Sequence, residues 1–130
     1  LEAIKGTNIK LYVSTFYQEG GSEAFDNGIK EYINGDSAAL DANGGNDTIS
    51  AVTAMGYDAY YVALEAMKKA NSVDKADIMA ALPSVTYTGV SGAIAFDDIG
   101  DAIRDTAYIK TADTENGAWI LETVQTGSGK

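Results

Sequence analysis

The groups in this chain that could do chemistry concentrate in one run, MGYDAYYVALEAMKKANS, residues 55–72. It places Tyr57 beside Asp58 and follows them with Tyr60 and Tyr61 on one predicted helix. Tyr57 and Asp58 fall in its opening turns, where a side chain can face a cleft. An aspartate there also complements the positive end of the helix dipole, so periodicity leaves two roles open for Asp58: ligand contact or local stabilisation. Tyr60 lies within the apolar stripe and is expected to pack.

Catalytic alternatives find little support. The chain has no cysteine and no histidine, which removes disulfides, thiolate nucleophiles, zinc sites of the Cys/His type and imidazole acid–base chemistry. A serine nucleophile would then need Lys or Asp as its base, and nothing in the spacing groups them. The neighbouring carboxylates Asp97 and Asp98, and Asp113 with Glu115, have an acid–base reading. Among nineteen acidic residues their plainer role is solvation. GVSGAI, residues 89–94, lacks the third glycine and the strand-to-helix context of a dinucleotide fingerprint, and the terminal GSGK lacks the phosphate-loop spacing. Asp36, Asp41 and Asp47 do not alternate as calcium-loop ligands do. No metal and no cofactor is expected, and the function predicted is not enzymatic.

The elements that must position Tyr57 and Asp58 read as follows. IKLYVSTFY, residues 9–17, is rich in β-branched and aromatic residues and reads as a buried strand, ended by QEGG. Ser22 is a predicted N-cap for a helix over 23–33, with Phe25, Ile29, Tyr32 and Ile33 at helical spacing and Gly35 as its stop. Gly28 weakens that helix by about 1 kcal/mol relative to alanine. The glycine-rich stretch 34–47 reads as a surface loop. The central helix covers 50–70, capped by Asp47, Thr48 or Ser50. Val52, Met55, Ala59, Ala63, Met67 and Ala70 form its stripe, and Tyr60 and Leu64 widen it. Lys68 and Lys69 suit its negative end. Asp74 and Asp77 resemble a capping pair for a short helix over 75–82, which Pro83 should stop by forcing Leu82 out of helical geometry. VTYTG, GAIAFD, TAYIKTA and AWILETV then read as strands, and TGSGK as a flexible tail.

The bulk numbers fit one domain-sized globular unit: 130 residues, 45% hydrophobic and 22% charged. No apolar run approaches the roughly 18 residues of a membrane helix. A formal charge of −10 disfavours nucleic acid and anionic lipid as partners. The chain starts at Leu1 without a basic-then-apolar leader, which reads as a piece of a longer or processed chain.

Residues 56–111, GYDAYYVALEAMKKANSVDKADIMAALPSVTYTGVSGAIAFDDIGDAIRDTAYIKT, resemble the C-terminal third of type I periplasmic binding proteins. More narrowly, they are similar to the branched-chain amino-acid (Leu/Ile/Val) substrate-binding proteins of ABC importers. YDA opens a long helix and ANS closes it; a short helix with acidic residues at its start follows, then TGVSGAIAFDDIGD and the strand AYIK. Upstream, LYVSTFY…AFDNGIKEYI is similar to the family's strand, hinge and helix. The loop GDSAALDANGGND is longer than the family's linkers.

The resemblance implies an α/β fold that is part of a two-lobed, Rossmann-like architecture, in the order strand, three helices, β-hairpin and C-terminal strands. Residues 1–20 would be strand and hinge of the C-terminal lobe, and 21–102 helices and hairpin of the N-terminal lobe. Residues 103–124 would be a crossing with return strands, and 125–130 a tail. By position, Ala54 matches a place where the family sets an aromatic against the ligand, and an alanine there leaves room for a larger or differently shaped group. Tyr57 and Asp58 match the family's YD near the cleft, and Tyr17 matches the hinge. The Ser/Thr groups of the first lobe and the carboxylate of the other have no counterpart. The implied partners are a small-molecule ligand, an amino acid foremost, an ABC permease, and either the missing N-terminal part or a second copy. The implied location is the periplasm or, as a lipoprotein, the cell surface. Two rival readings are the sensing domain of a receptor or regulator of the same fold, and an unrelated small α/β structural domain.

Overall fold

The computed structural model describes residues 1–127. After a 3-10 turn at Glu2–Ile4, strand β1 covers Tyr12–Thr15 and helix α1 Glu23–Gly35. Helices α2 (Ser37–Ala42), α3 (Ala51–Ala70) and α4 (Lys75–Ala81) follow, then a 3-10 turn at Leu82–Ser84. The remaining strands are β2 (Tyr87–Gly89), β3 (Gly92–Phe96), β4 (Ala102–Ile103), β5 (Thr106–Asp113) and β6 (Ala118–Thr126). They form two antiparallel three-stranded sheets, β1–β5–β6 and β2–β3–β4. Tyr12 to Thr15 pair with Thr111 to Tyr108, and β5 pairs along its whole length with β6 through an irregularity at Ile109/Lys110. None of the described helices is long and apolar enough to cross a membrane.

Helix ends follow local chemistry. Ser22 Oγ accepts from the Phe25 amide and Ser50 Oγ from the Thr53 amide, so each hydroxyl satisfies an amide that the helix leaves free. Asn71 closes α3 in the left-handed region at φ 47°, a conformation asparagine tolerates. Lys69 Nζ donates to the carbonyl of Ser84, tying that end to the turn after α4. Asp74 caps α4 through the Ala76 amide, while Asp77 accepts instead from the Ser72 hydroxyl, so the pair caps without the reciprocal bond of a capping box.

Several expectations need correction. The stretch 34–47 is not all loop: Asp36 accepts from the Ala38 amide and starts α2. Leu82 stays helical at φ −53°, ψ −43°, and the chain tightens into a 3-10 turn around Pro83 before extending at Val85. Of the strand expected over residues 9–17, only Tyr12–Thr15 forms; it is exposed, with Tyr12 at 51%, because among the described residues no layer covers this sheet, whereas Tyr17 beyond its end is buried. The buried row of α3 is Ala54, Asp58, Val62 and Ala66, while Val52 and Tyr60 from the expected stripe stand out in solvent. The hairpin and α1 choose that row. Gln125 and Thr126 continue β6, where a tail was expected; residues 128–130 lie outside the described residues.

Burial is sparse. One small core joins Tyr17, Phe25, Ile49 and Ala54; a second joins Val62, Ala66, Val85 and Ile94. The accessible surface is 8555 Å², whereas a compact monomer of 13.6 kDa exposes about 6,600 Å² by the usual size scaling. The excess, roughly 2,000 Å², exceeds the ~800 Å² that one partner contributes to a standard interface. Part of it is an open apolar groove of ≈ 380 Å³ along α3 and α4, floored by Met55, Ala59, Ala63, Met79, Leu82 and Phe96. A sheet or helix must bury one face against another layer; among the described residues none packs broadly on β1, β5 and β6.

Candidate functional site

The segment leaving β1 is pinned to α1 by carboxylates. Asp26 accepts from the Tyr17 hydroxyl (2.5 Å) and from the Gly20 amide (2.7 Å). Glu19 accepts from the Ile49 amide (2.8 Å) and pairs with Lys30 at 2.7 Å. Tyr17 is therefore held under α1 beside the start of α3. Its phenol is raised well above the ordinary value, first by burial and then by the hydrogen bond to Asp26.

Ser50 starts α3 so that Ala54, Tyr57 and Asp58 emerge in its first two turns. Ala54 is fully buried against Tyr17, Phe25 and Ile49, so this chain's own side chains fill the space beside the small residue. Tyr57, one turn on, lies at the edge of this core and is 39% exposed. Its ring meets Phe25 edge-on at 5.0 Å and Tyr61 at 4.9 Å, and its hydroxyl lies 3.4 Å from that of Tyr61. That hydrogen bond, and burial after it, raise the Tyr57 phenol. Tyr61 stacks on Tyr87 with ring planes 5° apart, which completes a run of five rings from Tyr17 through Phe25 and Tyr57 to the hairpin. Burial, then the nearby charge of Asp58, raise the Tyr87 phenol.

Asp58 is fully buried, and both of its oxygens are engaged. Oδ1 accepts from the Val90 amide at 2.9 Å; Oδ2 accepts from the Ser91 amide at 2.8 Å and its hydroxyl at 2.5 Å. A turn between two strands presents free amides, and a buried carboxylate is stable only when such donors surround it. Each satisfies the other. Gly89 is required by this arrangement, since a Cβ on it would lie well inside 3.0 Å of the Asp58 carboxyl atoms. Arg104 extends the network: Nη1 donates to the Ser91 carbonyl at 3.1 Å, and both terminal nitrogens approach its Oγ.

The four residues singled out in the sequence thus gather at one place, the start of α3 facing α1. Tyr17 and Ala54 share a core, Tyr57 lies against its Phe25, and Asp58 holds the hairpin turn one step away. Of the four, Tyr57 alone offers substantial surface. It borders an open depression of ≈ 270 Å³ with Ser22, Phe25, Gly28, Ile29 and Val90. Sequence reasoning passed over Ser91, which lies in a glycine motif set aside as noise, and Arg104, which carries no local signal. Phe25 was read as a packing residue and serves both packing and the rim. Among the described residues no group of three or more acidic side chains could hold a metal. No side-chain polar atom is left buried without a partner among them. The arrangement supplies an aromatic face with phenol hydroxyls, suited to contact and orientation of a small molecule.

The sequence profile described as periplasmic binding protein matches residues 5–118. No curated protein matches the sequence. Among solved structures, a leucine-binding protein, LivK, of Thermotoga maritima is similar at 28% identity and a TM-score of 0.61, over 96% of this chain and 32% of that one. A solute-binding protein of an ABC transporter from Rhodopseudomonas palustris, in complex with 3,4-dihydroxybenzoic acid, is similar at 18% identity and a TM-score of 0.59. That match covers 99% of this chain and 35% of that one, and at this identity it shows the fold alone. The chain spans about a third of the length of these structures, and its mixed α/β fold matches a fragment of the type I periplasmic binding fold. It belongs to the periplasmic binding protein family.

Proposed function

We propose that this chain is a lobe-spanning part of an exported solute-binding protein that captures an amino acid between two lobes and delivers it to an ABC importer. The observation that carries the reading is the half-exposed Tyr57 ring, fixed by Phe25 and Tyr61 at the start of a capped helix and bordering an open depression. Small-ligand sites are concave and mostly apolar, with a few polar groups fixed in place. Tyr57 supplies one such wall. Asp58 acts through the turn it holds, which positions Val90 at the rim, and Tyr17 and Ala54 support the floor. Residues 1–20 and 103–124 belong in this reading to the C-terminal lobe, and 21–102 to the N-terminal lobe.

The roughly 2,000 Å² of surplus surface supports the same reading, because a chain that exposes it needs cover from further parts of its protein or from a second copy. Delivery then rests on hinge closure, which buries the ligand and presents a shape to the permease. The similarity to a leucine-binding protein favours a branched-chain or related amino acid. The test is isothermal titration of the intact protein with a panel of amino acids and, in parallel, 3,4-dihydroxybenzoate. Binding of one amino acid, weakened tenfold or more by Tyr57→Ala, is expected. Heat with the benzoate alone would move the ligand class, and heat with none of the panel would remove the reading.

A further inference from the structure

Two short connections join the β1–β5–β6 sheet to the helices and hairpin. One leaves β1 at Phe16, and the other runs through Arg104 and Asp105 between β4 and β5. Among the described residues, no strand of this sheet packs broadly on a helix or on β2, β3 or β4. Within this span, then, only the connections relate the two parts, and a few residues there can absorb a large change in φ and ψ.

The two connections touch each other. The Arg104 guanidinium lies over the Phe16 ring, 5.4 Å from its centroid, while its nitrogens donate to the Ser91 carbonyl and hydroxyl. Ser91 is itself locked, since its hydroxyl and amide both donate to the buried Asp58. A continuous path thus runs from the first connection, through the second, to the hairpin turn and the interior of α3. An arginine suits this place: its planar group offers a face to the ring and a fork of donors to the serine at once, which a lysine ammonium cannot do.

We propose that Arg104 is a clamp that fixes the angle between the sheet and the helical layer, using Ser91 and Asp58 as its anchor. Half-buried at a junction where the described residues supply no other broad packing, it holds the two connections in one relation and restrains pivoting.

The clamp is testable in the intact protein without a ligand. This span has no cysteine, so Asp41→Cys on the helical side and Glu115→Cys on the sheet side accept spin labels, with any cysteine outside the span replaced. Pulsed electron resonance then reads the distance distribution. One narrow population is expected for the parent protein and a distribution at least twice as wide for Arg104→Gln. Arg104→Lys should stay wide, and Phe16→Leu, which leaves the Ser91 bonds in place, should widen it by less. Far-ultraviolet dichroism checks that each variant is folded; if Arg104→Gln is not, Phe16→Leu decides. Parental width in the folded Arg104 and Phe16 variants, even with lowered melting temperatures, would reduce the contact to local stability and overturn the clamp.

Discussion

Gly89→Ala probes the centre of the site. The added methyl would occupy space now held by the Asp58 carboxyl group, and the neighbour in question is a buried side chain bound by three donors, not a free end. Either the carboxylate leaves the Val90 and Ser91 amides and the Ser91 hydroxyl, or the hairpin lifts away from α3. Hydrogen bonds to a carboxylate each contribute about 1.5–3 kcal/mol, and breaking a buried charged arrangement costs about 3–5 kcal/mol overall. Loss of about 3–5 kcal/mol is therefore expected, a large share of the ~5–15 kcal/mol that holds a domain together. Asp58→Ala should cost about 3 kcal/mol by leaving the turn's donors unpaired. In that background the methyl meets empty space, so Gly89→Ala should add less than about 1 kcal/mol, a coupling of about 2 kcal/mol or more between the two sites. Urea unfolding of the four proteins in the cycle gives each value. Gly28→Ala is the control: nothing lies within 4 Å of its added methyl, in the interior of α1, so it should stabilise by about 0.5–1 kcal/mol. Additive effects at positions 58 and 89, or a neutral Gly89→Ala, would refute the account of the turn.

Three more outcomes follow from the same geometry. In an ultraviolet titration of the eight tyrosines, Tyr17, Tyr57 and Tyr87 should ionise above the ordinary phenol value of about 10. Because their folded values are raised, the stability they contribute is complete below pH ~10 and is lost as pH rises through those values. Tyr17→Phe should delete the last step. Asp113 is held below the ordinary carboxylate range, first by the Asn116 side-chain amide and then by the backbone amides of Asn116 and Glu115. Its contribution is present above pH ~3.9 and lost as pH falls through the lowered value, and Asn116→Ala should shift its titration upward by nuclear magnetic resonance. Ser50→Ala should destabilise by about 1 kcal/mol in the same urea assay, through loss of the bond to the Thr53 amide.

The site is built by economical use of one buried carboxylate. Asp58 stands on the face of α3 that a helical wheel would fill with an apolar residue, and it is tolerated because a hairpin turn brings two amides and a hydroxyl to it. That bond set then fixes the rim beside Tyr57 and supplies the anchor for Arg104. Aromatic packing from Tyr17 to Tyr87 ties the same region together and leaves Tyr57 partly exposed.

Local chemistry alone determined a good deal of this protein. Ser22 announced its helix, a cluster of three possible caps that included Ser50 announced α3, the run at Asn71 and Ser72 announced its close, and short β-rich runs set off by glycine or aspartate announced β2, β3, β5 and β6. These are events within a few residues, where capping, propensity and turn chemistry act without tertiary help. Ordered along the chain, the same signals also carried the family resemblance. Tertiary structure alone decided which face of α3 is buried, because that depends on where a hairpin more than thirty residues away lands. It also buried Asp58 against the hairpin turn, stood Tyr60 in solvent, and brought Arg104 to Ser91 and Phe16. Spacing on one helix ranks faces by polarity, but a distant donor can make the polar face the inner one, and no local pattern records that partner.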